Sequence, residues 1–65
     1  MVTFGVIRKI GGNHPFVYCM TETKERAESI IEMIKDEEQM KNSIFSVESV
    51  KDSCRIGDYY EEVKL

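Results

Sequence analysis

Sixty-five residues leave room for one hydrophobic core and exclude a second domain, and a chain this short buries only about 60% of the surface its unfolded form exposes. Hydrophobic residues at 42% and charged residues at 32% exclude a disordered polyelectrolyte, and no apolar run approaches the roughly 18 residues a membrane span needs. The net charge of −3 speaks against a nucleic-acid-binding surface, which requires a basic face.

In chain order, residues 2–10 read as a strand. Val2, Phe4, Val6 and Ile10 share one parity and Thr3, Gly5 and Lys9 the other, while Ile7 and Arg8 break the alternation. Gly5 inside that run predicts a bulge or a close backbone approach. Gly11-Gly12-Asn13 supplies residues that tolerate positive φ and predicts a hairpin, with Pro15 opening the returning strand. Residues 16–20, FVYCM, are apolar on both parities, the pattern of a strand covered on both faces.

A helix is expected from Thr21 or Thr23, either of which can cap it. Ala27, Ile30, Ile31 and Ile34 form its apolar stripe, and Glu22 with Arg26 and Glu37 with Lys41 are i, i+4 pairs. The next stripe position is Glu38, so the helix should leave the core there and fray towards Asn42. Met33 and Met40 sit to the side of the stripe, where filling gaps at the core edge is the simpler reading and a partner contact the other.

Residues 44–50, IFSVESV, read as a third strand with Phe45 and Val47 facing the core and Ile44 and Val50 on the polar side. A turn-like stretch over residues 51–58 precedes YYEEVKL, which reads as a fourth strand or as a frayed end. The elements assemble as an α+β domain, ββαβ(β), with one amphipathic helix packed on a mainly antiparallel sheet of three or four strands. Order 2-1-3 keeps every pairing antiparallel. A parallel placement of the third strand beside the second is the alternative.

The chemistry-bearing residues form no catalytic set. His14 and Cys19 are five apart, which places them on opposite faces of an extended strand, and only Cys54 could complete a Cys–His dyad. His14, Cys19 and Cys54 are too few and too scattered for a structural zinc site. Two cysteines are also too few for a disulfide framework, so free thiols are expected. The helical acids Glu28, Glu32 and Asp36 read as a solvated face. Phe4, Phe16 and Tyr18 have the parity of a core rather than of a base-stacking platform. No enzyme, cofactor or metal is expected.

Charge is uneven: residues 1–20 carry +2, residues 21–42 carry −3 and residues 43–65 carry −2. The one basic region is the hairpin, where Arg8, Lys9 and His14 beside Gly11-Gly12 could make an anion-binding nest. A single helix covers one sheet face, yet Ile7, Val17, Cys19, Ile44 and Val50 fall on the parity opposite to Val2, Phe4, Phe16, Tyr18, Phe45 and Val47. The first set must be exposed, shielded by the C-terminal segment, or buried against another chain. It forms the candidate interaction surface.

The strand–GG turn–strand opening, the helix TKERAESIIEMIKDEE and the strand FSVESV resemble small uncharacterised proteins of Bacillus-type bacteria and their phages and prophages. The resemblance covers residues 2–50 and implies a ββαβ domain in the cytoplasm. It transfers no functional residues. The N-terminal MVTFGVIRKIGG also lacks the charge and cleavage pattern of a signal peptide. The leading expectation is a non-enzymatic interaction module acting as a homodimer or on a host protein. The alternative is a weak nucleic-acid or anion binder using Arg8, Lys9 and His14.

Overall fold

Strand β1 (Thr3–Ile10) is central, flanked by β2 (Phe16–Thr21) and β3 (Ser43–Val50) in a three-stranded antiparallel sheet of order β2-β1-β3. The computed structural model describes residues 2–65. The order matches the all-antiparallel expectation, and the fold is a small α+β domain. At the hairpin, Asn13 N–H donates to Ile10 C=O at 3.0 Å, and Gly11 holds φ at +53° while Gly12 does not take positive φ. Positive φ at the first central position is a conformation glycine adopts without steric cost, and residues 11–15 then carry the chain to β2.

The pairing of β1 with β2 contains an irregularity that decides which side chain faces where. Val6 pairs with Cys19 but Ile7 pairs with Val17, so Tyr18 is an extra residue on β2. Such a bulge puts two successive side chains on one face and resets the alternation. Cys19 thereby joins Val6 and Tyr18, while Val17 stays with Ile7. The period-2 reading grouped Cys19 with Val17. That grouping is corrected here, because no composition signal marks a bulge at Tyr18. Gly5 marks a close approach instead: a Cβ there would lie 3.3 Å from Ile7 Cδ1 and 3.3 Å from Val50 Cγ1.

Helix α1 (Lys24–Ile34) lies over the face that carries Val6, Phe45 and Val47. Thr23 caps it, its Oγ1 accepting from Arg26 N–H at 3.1 Å, and Thr21 supports the cap by donating its hydroxyl to Thr23 C=O at 2.8 Å. Ala27 is fully buried on the sheet. The helix stops at Ile34, four residues before the charged stripe position, and a short 3-10 turn (Glu38–Met40) follows. The two flanking methionines part company there: Met40 is buried, whereas Met33 is exposed.

The opposite face of the sheet is covered by the chain's own last residues. From Lys51 the backbone crosses to the outer edge of β2, then returns and ends beside β3. Residues 59–65 are not a fourth strand. They hold a single helical turn, α2 (Tyr60–Val63), with isolated bridges from Tyr59 to Phe16 and from Lys64 to Val50. A segment that must pass from one edge of the sheet to the other cannot also run along an edge. The turn puts Tyr60 and Val63 on one side, where they pack with Cys54 over Ile7, Val17 and Val50. This strap is positioned by a tight turn in which Asp58 N–H donates to Arg55 C=O at 3.0 Å and Gly57 takes φ of +96°. Asp58 Oδ2 accepts from Arg55 N–H at 2.8 Å and fixes the turn's geometry.

Two substitutions test the strap. Val17→Ala, in the floor beneath it, should cost about 2–3 kcal/mol by lost burial and cavity formation. Gly57→Ala should cost about 1–2 kcal/mol, because an alanine is strained at that φ. Each should lower the urea midpoint with the slope unchanged; an unchanged midpoint would show that the strap is not part of the cooperative fold.

Candidate functional site

The five residues of the predicted interaction surface do not form one. Ile7, Val17 and Val50 are buried beneath the strap, with relative exposures of 3%, 0% and 1%. Cys19 is partly buried on the helix side of the sheet, moved there by the Tyr18 bulge. Only Ile44 is open, at 70% exposure. Of the three possibilities the sequence left for this set, shielding by the C-terminal segment accounts for the three buried residues.

The basic hairpin residues diverge as well. The Arg8 guanidinium donates from Nε to Ser43 Oγ at 2.8 Å and from an Nη to Gln39 C=O at 3.0 Å, and it lies 5.8 Å from the centre of the Tyr18 ring. Tyr18 in turn meets Phe45 edge-on at 6.0 Å. Arg8 therefore ties the 3-10 turn and the start of β3 to the sheet. Lys9 points to the opposite face and is exposed. His14 rests against the Tyr59 ring at 5.8 Å. Arg8 and Lys9 therefore do not converge on one anion.

The cysteines are free. Cys54 is buried in the strap core with its Sγ 3.1 Å from Met20 Sδ. Burial pushes the Cys54 thiol above its ordinary value, and the nearby Asp58 and Asp52 carboxylates add to the rise. Burial alone raises Cys19. A nucleophilic cysteine needs the reverse shift, since the thiolate is the reactive form. Among the described residues, no three His, Cys, Asp or Glu side chains gather as a metal site. Among the described residues, no helix is long and apolar enough to cross a membrane.

What the structure leaves open is an edge. On the β2 side, the strap occupies the backbone of the strand's first half: Val17 N–H donates to Asp58 C=O at 2.9 Å, Gly57 N–H to Val17 C=O at 2.8 Å, and Tyr60 N–H to Pro15 C=O at 3.0 Å, leaving Met20 as the one outward residue beyond the bulge without a backbone partner. The bulge at Tyr18 further distorts that edge. On the β3 side, the strap touches only the far end, where Lys51 N–H donates to Val63 C=O at 2.8 Å and Leu65 N–H to Ser49 C=O at 3.5 Å. Antiparallel residues direct N–H and C=O alternately to one neighbour and the other. Since Ser49 and Lys51 point outward, Phe45 and Val47 do too. Among the described residues, no backbone group bonds to them from outside the sheet.

This open stretch runs beside a groove between β3 and α1. Phe45, Ser46 and Val47 form one wall, and Ile31, Glu28 and Glu32 contribute to the other. Phe45, Val47 and Ile31 supply its apolar lining and its helical rim is charged, with Lys35 paired to Glu32 at 2.7 Å on the surface. On the strap side of the same edge, Tyr60 is raised above its ordinary value, first by burial and then by the negative charge of Glu48. The arrangement offers backbone donors and acceptors flanked by side-chain sites, and no reactive group. Sequence reading placed Phe45 and Val47 correctly towards the helix but had no means of showing that the strand carrying them is the unsealed one.

The raised Cys54 and Tyr60 values give a pH test. Both groups are held neutral in the folded state, so the stability they contribute is fully present below their unfolded values and lost as pH climbs through the folded ones. The urea midpoint should hold near neutral pH and fall above pH 9.0, the ordinary thiol value. Cys54→Ala should fall less steeply between pH 7 and 10; an identical slope in the variant would remove the thiol from the account.

No protein-family model matches the chain, and neither a curated protein nor a solved structure matches it.

Proposed function

We propose that this chain is a non-enzymatic protein-interaction module that works by strand addition at the β3 edge. The observation that carries this reading is the contrast between the two edges. One is interrupted by a bulge and occupied over its first half by three backbone hydrogen bonds from the strap, while the other presents two consecutive outward residues, Phe45 and Val47, unpaired beside a groove of mixed polar and apolar lining. A free strand edge is a template for another extended segment. The main chain supplies affinity, and alternate side chains supply selectivity. The partner is a second copy or a host protein. The setting we propose with it is the cytoplasm of a Bacillus-type bacterium or of one carrying its phages, which follows the sequence resemblance and suits two free cysteines.

Val47→Pro tests the edge directly. Proline at this position deletes an outward N–H and leaves the bonds to β1 intact, which is where a strand tolerates it. Peptides of extended type selected for binding to the parent chain should bind the variant at least about tenfold more weakly, the scale of a lost backbone bond with its distortion. Amide shifts on binding should centre on residues 44–48. Undiminished binding to the variant, or shifts centred elsewhere, would overturn the reading.

A further inference from the structure

The edge reading leaves its partner open, and the side chains along β3 narrow it. We infer that the β3 edge pairs with the same edge of a second copy, antiparallel, about a two-fold axis through Ser46, joining two sheets into one of twice the width. This inference rests on the proposal that the β3 edge is the interaction site.

The register follows from which backbone groups are free. Centred on Ser46, Phe45 lies opposite the partner's Val47 and Val47 opposite the partner's Phe45. Each pair joins two outward-facing residues, so the axis produces four backbone hydrogen bonds from residues that have none on that side. A centre at Val47 would set Phe45 against the partner's Ser49, whose carbonyl already accepts from Leu65. A centre at Phe45 would align Glu48 with the partner's Asn42, beyond the end of the strand. Ser46 as centre uses residues 44–48 and stops where Leu65 begins to occupy the edge.

The side chains agree with that register on both faces. On the helix side, Phe45 meets the partner's Val47, an aromatic with a β-branched residue, the cross-strand pair that stabilises sheets. On the strap side, Ile44 comes opposite the partner's Glu48, so the most exposed side chain of the edge gains the aliphatic stem of that glutamate as cover. Lys9 lies beside Ile44 on the same face, since the two pair across β1 and β3. At a strand spacing of about 4.8 Å, Lys9 is roughly 9.6 Å in Cα position from the partner's Glu48, a gap that the two long side chains can close. Lys9 has no carboxylate within ion-pair distance among the described residues of its own chain. The dimer would therefore hold two such pairs, related by the axis. No like charges fall opposite one another along the strand.

Engineered cysteines test both the contact and its register. At the axis, Ser46 and the partner's Ser46 form a non-hydrogen-bonded pair with Cα atoms about 4.5 Å apart, a separation that a disulfide spans. Under mild oxidation Ser46→Cys should give a covalent dimer well above the level of the parent chain, whose own two thiols set the background. Ile44→Cys and Glu48→Cys should each stay uncrosslinked alone and crosslink when mixed. Ser46→Glu, which sets two carboxylates against each other at the axis, should shift the sedimenting species from dimer to monomer. Failure of Ser46→Cys to crosslink, or crosslinking of Ile44→Cys alone as readily as of the mixture, would overturn the inference. If peptide binding sensitive to Val47→Pro persists in that case, the edge reading stands and only the second copy is excluded as its occupant. If neither is seen, both fall.

Discussion

The structure depends on the passage of residues 51–65 across the back of the sheet. A three-stranded sheet with one helix has a single covered face, and here the uncovered one carries Ile7, Val17 and Val50. In a chain of this length, exposure of three such residues would remove a large part of the apolar burial that holds it folded. Cys54, Tyr60 and Val63 supply the missing layer, and the turn at Gly57 delivers them. The strap is thus a third layer made largely without regular secondary structure, its one helical turn spanning Tyr60–Val63.

The same passage distributes protection unevenly. Going out, the strap lies along the outer edge of β2 and satisfies the backbone of Val17. Coming back, it reaches β3 only at Ser49 and Lys51. Small sheet proteins ordinarily blunt both edges with charge, bulges or cover. Here the bulge and the cover fall on the same edge. The other edge has Glu48 as its one in-strand charge.

Much of this was legible in the residues. The stripe Ala27, Ile30, Ile31, Ile34 gave the helix its face, Gly11-Gly12 its hairpin, and the two-sided apolar run FVYCM its coverage on both sides. The parity conflict between strand faces was a true signal. It reported that something covers the second face, without saying what. Three things stayed hidden for physical reasons. A bulge is a matter of pairing between strands, so Tyr18 carries no local mark and Cys19 was assigned to the wrong face. YYEEVKL has a period that suits a strand, but its path is set by the need to reach both edges, a tertiary constraint that overrides local pattern. The role of Arg8 was hidden for the same reason: Ser43, Gln39 and Tyr18, which occupy it, are distant in sequence.

The strap also sets an order of events. Val17 is made early, yet it is covered only by residues 54–63, and β1 is joined to β3 across most of the chain. Contacts so separated in sequence close slowly, because the entropy of the intervening loop must be lost before they form. During synthesis the hairpin and helix can associate while the far side of the sheet still faces water. Until the last turn arrives, the nascent chain presents Ile7 and Val17 as an adhesive surface.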